Sequence, residues 1–298
     1  MGARLARALP PGVRYPAAAA GGSLWYLADA GRRRNALRNY AAVLGCAEDD
    51  PEVARVARHA FENYCRMLAD FLLIGDLRPE EVRDLLTVGG REHVEAALAR
   101  GRGAILALPH MGSWDFAGAL ASMLGYRIVA VAEPFYGSLN DAVVETRSRH
   151  GLRIVPMGRS AVRAINDALD RNELVALLCD VAHGPGVDVT FFGRRAVVPA
   201  GPAAIACKRE APLLPTYCRR SAAGGYHVHV DPPVQPPGRE RCGGKQASAE
   251  LMQRVVERFE AFIRHDPEQW YAFRPILGDR PPTAPPPARR EEAGGGSR

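Results

Sequence analysis

Short apolar runs alternate with helical patterns along the middle of the chain, and this alternation restricts the fold more than any other feature. The runs are AILAL at 104–108, RIVAVA at 127–132, RIVP at 153–156 and LVALLC at 174–179. Buried strands of a parallel sheet read as continuous apolar runs, and strands that alternate with helices build such a sheet. Two more strands are predicted at 213–217 and 226–230, joined by a hairpin-like turn. We therefore predict an α/β fold with a central, mostly parallel or mixed sheet flanked by helices.

The 298-residue chain divides into three parts by its composition. Residues 35–86 carry apolar residues at three- and four-residue steps, which predicts a helical region in front of the sheet. We assign 35–279 to one domain, since a chain of this length can bury one substantial core. From residue 280 onward Pro, Arg, Glu and Gly dominate, so 280–298 is predicted to be a disordered tail.

The first 34 residues have the composition of a membrane-interface segment. Leu24, Trp25, Tyr26 and Leu27 precede three arginines at 32–34, and apolar residues beside cations are typical of an interfacial anchor. A helix packed on the domain with a solvated basic end fits the same residues equally well. The Ala-rich run at 17–28 is too short to span a bilayer. The segment therefore predicts peripheral attachment to a membrane surface.

The net charge of +6 favours anionic partners. Membrane lipid, coenzyme A and nucleic acid all carry phosphate and all qualify on charge alone; we predict a membrane surface and no nucleic acid. The six cysteines form no C-x-x-C pair, which argues against a zinc ribbon or a disulfide framework and makes a reducing cytoplasm the expected compartment.

The strongest candidate for chemistry is His110, which follows the strand-ending Pro109. Ser113 is a plausible N-cap, and a helix from Trp114 would bring Asp115 into its first turn. Ligands of open α/β sheets bind at the carboxyl ends of strands. There a histidine held by a carboxylate can act as a general base toward a substrate hydroxyl. No G-x-S-x-G nucleophile elbow occurs, so no acyl-enzyme is required.

Four ordered sequence blocks resemble one family. They are LPHMGSWDFAGA at 108–119, VAEP at 131–134, GVDVTFFG at 186–193 and PAGPAAIA at 199–206. Together they resemble the bacterial lysophospholipid acyltransferase-like family, in its branch of lipid A lauroyl acyltransferases and phosphatidylinositol mannoside acyltransferases. The resemblance implies transfer of an acyl group from acyl-coenzyme A or acyl carrier protein to a sugar hydroxyl of a membrane glycolipid. It also implies no cofactor, no metal, and a place on the cytoplasmic face of the plasma membrane.

The resemblance also assigns roles to individual residues. Glu133 and Arg147 match charged positions of the family pattern and are implied to serve the polar end of the active groove. Asp188 stands where mannoside acyltransferases usually carry a glutamate, and it would offer its carboxylate to His110 or to the acceptor sugar. By their spacing of one turn, Arg159 and Arg163 are candidates for phosphate binding. Residues 194–206 are expected to form a loop and a helix.

Two other classes of function fit parts of the pattern. A metal-dependent hydrolase would use His110, Asp115, Asp180 and His183 as ligands, since His and carboxylate both bind metals. A non-catalytic lipid carrier would keep the fold and bind lipid without turnover. The second H-x-x-x-x-D spacing, His183 to Asp188, lies in a Gly/Pro-rich loop and is the weaker candidate for chemistry.

Overall fold

Three helices precede the sheet in the computed structural model, which describes residues 9–74, 78, 80, 84–132, 151–182, 184–221, 225–242 and 244–278. They are α1 (Pro11–Ala28), α2 (Ala30–Leu44) and α3 (Pro51–Phe71). An aspartate caps each of the last two: Asp29 accepts the backbone N–H of Arg32 at 2.9 Å, and Asp50 accepts that of Glu52 at 2.7 Å. The helical pattern in front of the sheet is thus confirmed for most of its length.

Seven strands form the central sheet in the order β1-β9-β8-β2-β5-β3-β4. Their bounds are β1 Leu86–Gly89, β2 Ala104–Leu108, β3 Ile128–Ala132, β4 Arg153–Pro156, β5 Leu174–Leu178, β8 Leu213–Arg220 and β9 Tyr226–Val230. All neighbouring pairs are parallel except β8 with β9, which are antiparallel. The predicted α/β fold with a mostly parallel, mixed sheet is confirmed. Strand β1 was not predicted, because its four residues LTVG are too short to show a pattern.

Five further helices flank the strands in the part of the chain that the structure describes. They are α4 (Arg91–Leu98), α5 (Trp114–Met123), α6 (Arg159–Asp170), α7 (Gly201–Arg209) and α8 (Gly244–His265). Strands β6 (Gly186–Phe191) and β7 (Arg194–Pro199) form a separate antiparallel hairpin. The prediction of a loop at 194–199 was wrong, since these residues pair along the whole length of β6. The turn takes Phe192 and Gly193 with φ of 50° and 69°, the positive values that two-residue hairpin turns require.

The two faces of the central strands have different neighbours. Ile105, Ala107, Val175 and Leu177 belong to the main apolar core, which also contains buried residues of α2, α3, α7 and α8. The alternate residues, Leu106 and Leu108 of β2 with Ala176 and Leu178 of β5, line a cavity on the other face. Each of these strands therefore packs one set of alternate side chains into the core, and its other set lines a cavity large enough for a ligand.

The N-terminal helix shows features of both readings of residues 1–34. Trp25 packs edge-on against Phe61, with 4.6 Å between ring centroids, and against Phe273 at 5.2 Å. Leu24 and Leu27, by contrast, are each 67% exposed. The aromatic residues thus stabilise the fold, while the leucines leave an apolar strip on the surface. The division of the chain at residues 34 and 279 stays a prediction. Among the described helices, none is long and apolar enough to cross a bilayer.

One disulfide is present, contrary to the expectation drawn from cysteine spacing. Cys207 of α7 is bonded to Cys242, 35 residues later, and the four remaining cysteines are free. The spacing rule missed this bond because it joins two distant segments through the fold. Cys242 lies in the Pro/Gly-rich stretch before α8 and so is tied to a helix that borders the cavity.

Candidate active site

The parallel register of β2 and β5 brings His110 next to Asp180. Leu108 is opposite Leu178, and the backbone N–H of Cys179 donates to the Leu108 carbonyl at 2.7 Å. Each strand ends there, and each functional side chain follows two residues later. His110 and Asp180 are 70 positions apart in the sequence but lie side by side at the same edge of the sheet. In open α/β folds, ligands bind at this carboxyl edge of the strands.

The carboxylate of Asp180 holds the imidazole of His110. Nδ1 of His110 lies 2.6 Å from Oδ1 of Asp180, and the backbone N–H of His110 donates to Oδ2 at 2.9 Å. Trp270 Nε1 donates to the same Oδ2 at 2.8 Å. Asp180 is fully buried, whereas a quarter of the His110 side chain is exposed. In the neutral imidazole this arrangement puts the proton on Nδ1 and leaves the lone pair of Nε2 for a substrate.

The charge state of Asp180 follows from the same contacts. Burial favours the neutral acid, but the charge of His110 and the hydrogen bonds from His110 and Trp270 outweigh it, so the pKa of Asp180 lies below its ordinary value. Asp180 is therefore an anion at neutral pH. An anion beside Nδ1 stabilises the imidazolium that forms when Nε2 accepts a proton.

The predicted helix start after His110 is confirmed, but the predicted cap contact is not found. Helix α5 begins at Trp114, and Ser113 occupies the N-cap position without a side-chain capping hydrogen bond. Asp115 lies in the first turn and lines the same cavity as His110. The contact at Nδ1 thus belongs to Asp180, and a role for Asp115 in holding His110 stays a prediction. The Trp114 ring meets the imidazole edge-on, with 5.5 Å between centroids.

A glycine allows the loop after His110 to lie against the sheet. Gly112 has φ of 63°, and a Cβ placed there would lie 1.8 Å from the carbonyl oxygen of Cys218 in β8. Any larger residue would push the loop away from the strand. Gly112 thus fixes the distance between the His110 loop and β8.

A large apolar cavity opens beside His110. Its volume is about 780 Å³, and its lining comes from all seven strands of the sheet together with α4, α5, α6 and α7. That volume lies in the range of small-molecule binding sites. The polar groups near its His110 end include Asp115, while most of the other lining side chains are aliphatic, such as Leu106, Ile128, Ile154 and Val228. A site of this kind suits a long apolar chain whose reactive end lies at the histidine.

The other residues singled out from the sequence lie elsewhere or outside the described ranges. Asp188 is on β6, about half exposed, with its Oδ1 2.6 Å from Nη2 of Arg195. Among the described residues it does not line the cavity. Arg159 and Arg163 are exposed on α6, next to the cavity-lining Gly158 and Val162. Glu133 and Arg147 lie outside the described residues. The roles of these five residues stay predictions.

The ligands of the metal-dependent alternative are only partly described. His110 and Asp180 are in direct contact, and Asp115 is near them on the cavity wall. His183 lies outside the described residues. Within the described ranges, no group of three or more His, Cys, Asp and Glu side chains has the arrangement of a metal site.

Sequence reasoning noted Asp180 and Trp270 without recognising their roles. From the sequence, Asp180 is a candidate metal ligand, and Trp270 is expected to pack at the end of the fold. The position of Asp180 two residues after a buried strand places it at the same sheet edge as His110, but it does not show that the two strands are neighbours. For Trp270 no local signal exists, since it reaches the site from the far end of the chain.

Comparison with known proteins shows the family of the chain. The family model of bacterial lipid A biosynthesis acyltransferases matches residues 1–277. A phosphatidylinositol mannoside acyltransferase of Mycobacterium tuberculosis is 30% identical over 262 residues, which cover 84% of this chain and 78% of the relative. One from Mycolicibacterium smegmatis is 30% identical over 92% of this chain and 88% of the relative. A lipid A biosynthesis acyltransferase of Haemophilus influenzae is 26% identical over 64% of this chain and 58% of the relative. The chain belongs to the bacterial lipid A biosynthesis acyltransferase family.

Proposed function

We propose that this acyltransferase moves a fatty acyl group from a thioester to a sugar hydroxyl of a membrane glycolipid of the phosphatidylinositol mannoside class. The observation that carries the proposal is the His110–Asp180 pair, whose histidine lines an apolar cavity of about 780 Å³. The names of the relatives from Mycobacterium tuberculosis and Mycolicibacterium smegmatis favour the mannoside acceptor. The donor is acyl-coenzyme A or acyl carrier protein.

In the proposed reaction His110 is the general base. Its Nε2 takes the proton of the acceptor hydroxyl as the oxygen attacks the thioester carbonyl, and Asp180 stabilises the imidazolium. The tetrahedral intermediate then expels the thiolate, which takes the proton back from Nε2. The new ester bond replaces the thioester bond, so no enzyme nucleophile, metal or cofactor takes part.

The cavity is proposed to hold the acyl chain. Its aliphatic lining would bury the chain beside the sheet, and each buried methylene contributes about 0.8 kcal/mol. With the chain held there, the carbonyl carbon would lie near His110, where the lining becomes polar. We assign Asp115, at the same end, to orienting the reacting groups.

Charged residues around the site are proposed to bind the phosphate groups of the substrates. Arg159 and Arg163, exposed beside the cavity, would meet phosphate of the donor or of the lipid. We assign Glu133 and Arg147 the same task on the basis of the family pattern, and Asp188 a contact with the acceptor sugar.

Attachment to the membrane is proposed to use the N-terminal helix. Leu24 and Leu27 are exposed on α1, and three arginines follow at 32–34. Apolar residues inserted at the interface and cations over anionic headgroups both strengthen peripheral binding. This would bring the catalytic edge to the cytoplasmic face of the plasma membrane, where its lipid acceptor is found.

The test is release of free thiol from palmitoyl-coenzyme A and from palmitoyl carrier protein, with and without mannosylated phosphatidylinositol, in the presence of a chelator. We expect acceptor-dependent release from one donor, and a loss of at least about 10²-fold in His110→Ala because a positioned base supplies 10²- to 10⁴-fold. His265→Ala, which removes a surface histidine with 69% side-chain exposure, is the matched control. Full activity of His110→Ala would refute the mechanism, and lipid bound without any thiol release would favour a carrier.

A further inference from the structure

The segment that follows α8 holds the His110 loop by its backbone. The N–H of Gly112 donates to the carbonyl of Gln269 at 2.8 Å, and the N–H of Tyr271 donates to the carbonyl of His110 at 2.8 Å. Between these two bonds, Met111 and Trp270 form an isolated antiparallel bridge. Residues 269–271 thus act as a short strand alongside the loop, and they bring the Trp270 side chain to Asp180.

The hydrogen bond from Trp270 determines which oxygen of Asp180 contacts the His110 ring. Its indole N–H donates to Oδ2, the oxygen that also accepts the backbone N–H of His110, while Oδ1 remains for Nδ1 of His110. A carboxylate with two donors on one oxygen cannot rotate without breaking both bonds. Oδ1 is thereby held at 2.6 Å from the imidazole.

The indole is itself fixed in place. Trp270 is fully buried, and its ring lies 5.8 Å from the Phe191 ring and 5.9 Å from the Phe192 ring. The Tyr40 hydroxyl donates to the Trp270 carbonyl, and the two rings meet edge-on at 6.1 Å. The indole N–H is therefore an immobile donor, which costs no reorganisation when charge develops on His110.

We propose that Trp270 is a positioning residue of this acyltransferase, which acts through Asp180 to set the orientation and the tautomer of His110. The inference rests on the proposed function, since it assigns His110 as the base. Trp270 is not one of the described residues that line the cavity, so its replacement should lower kcat and leave KM for the acyl donor unchanged.

The test replaces the indole N–H while keeping the ring volume. Trp270→benzothienylalanine substitutes sulfur for the N–H, and Trp270→Phe is the simpler second variant. One hydrogen bond to a charged group corresponds to a loss of roughly 10- to 100-fold in kcat. Phe259→Leu is the control for lost core packing, because Phe259 is fully buried in the same core and takes no part in the contacts of Trp270 and Asp180 described above. We expect its kcat to stay within about twofold, as for a change that acts on stability alone.

A spectroscopic readout separates this inference from the proposed function. The His110 Nδ1–H proton should give a downfield NMR signal in the parent protein, as short bonds to carboxylates do, assigned by its loss in His110→Ala. We expect the signal to shift or broaden in both Trp270 variants and to be unchanged in Phe259→Leu. An unchanged signal, or an unchanged kcat in a folded variant, would overturn the inference. If the parent transfers no acyl group, the proposed function fails, and the NMR comparison alone decides the role of Trp270.

Discussion

Replacing Asp180 with asparagine should place the His110 proton on the wrong nitrogen. At Oδ2 two donors converge, the His110 backbone N–H and Trp270 Nε1, whereas Oδ1 faces Nδ1 alone. An asparagine will satisfy both donors with its single amide oxygen and will turn its NH₂ group toward the imidazole. Nδ1 must then accept, and Nε2 must carry the proton. In this tautomer His110 cannot take a proton from the acceptor hydroxyl.

The expected loss of activity is large because the substitution removes both the productive tautomer of His110 and the negative charge of Asp180. The corresponding change in a serine protease triad lowers kcat by about 10⁴. For Asp180→Asn we expect about 10³- to 10⁴-fold, which is about 4 to 5.5 kcal/mol of transition-state free energy. Asp180 does not line the cavity within the described ranges, so KM for the acyl donor should hold. Both donors at the former Oδ2 position stay paired, so the variant should fold.

The assay is steady-state thiol release with saturating acceptor, accompanied by thermal unfolding of each variant. Asp49→Asn, the same chemical change at an exposed aspartate between α2 and α3, serves as the control and should keep parental activity. Asp115→Asn distinguishes the two candidate partners of His110. If Asp180→Asn retains most of its activity while Asp115→Asn loses it, then Asp115 orients the base, and the reasoning from the Nδ1 contact is refuted.

Three further predictions follow from burial, linkage and the disulfide. Ala176→Phe on β5 should lower kcat/KM for a palmitoyl donor about tenfold or more relative to a short acyl donor. The larger side chain fills the cavity at the centre of the sheet, where overpacking costs about 1–3 kcal/mol. Equal losses of kcat/KM for both donors would contradict a cavity that binds the acyl chain. The pKa of Asp180 is lowered on folding, so its stabilising contribution is present above its unfolded pKa of about 3.9 and is lost as the pH falls through the lower folded value. The difference in Tm between the parent and Asp180→Asn should accordingly shrink as the pH falls below about 4, and a difference that stays unchanged from about pH 5 down to about pH 2 would contradict the assignment. Reduction of the Cys207–Cys242 disulfide frees a loop of 35 residues and should lower the free energy of unfolding by about 3 to 4 kcal/mol in urea titrations. If the peptide map of the untreated protein shows both cysteines as free thiols, and added reductant does not change the free energy of unfolding, the disulfide is contradicted.

The parts of the fold that could be predicted are those that local patterns determine. Strands β2, β3 and β5 are covered on both sides, so their apolar runs are continuous and easily recognised. The start of α5 at Trp114 was also predictable, since Pro109 ends the strand and Ser113 can precede a helix. Strand β7 was missed because its burial alternates and two arginines begin it, which made RRAVVP resemble a loop.

The pairing of His110 with Asp180 was not predictable from spacing, because it depends on which strands are neighbours. Asp115 is five positions from His110 and is the obvious partner in the sequence, whereas Asp180 becomes a neighbour only once β5 lies beside β2. The disulfide and the Trp270–Asp180 hydrogen bond are of the same kind, since each joins two segments that are distant in the sequence and meet only in the folded chain. Long-range contacts of this kind carry no periodic signal that a single sequence can show.

The two faces of the central strands separate the side chains that build the core from those that line the cavity. On β2 and β5, Ile105, Ala107 and Val175 are fully buried in the main core, while Leu106 and Ala176 line the cavity. A change of volume on the cavity side alters the space for substrate without opening a void in the core. The base is held from the other side, by Asp180 and by Trp270 from the end of the chain. If the cavity holds the acyl chain as proposed, substitutions in its lining should therefore change which chain fits without moving the base.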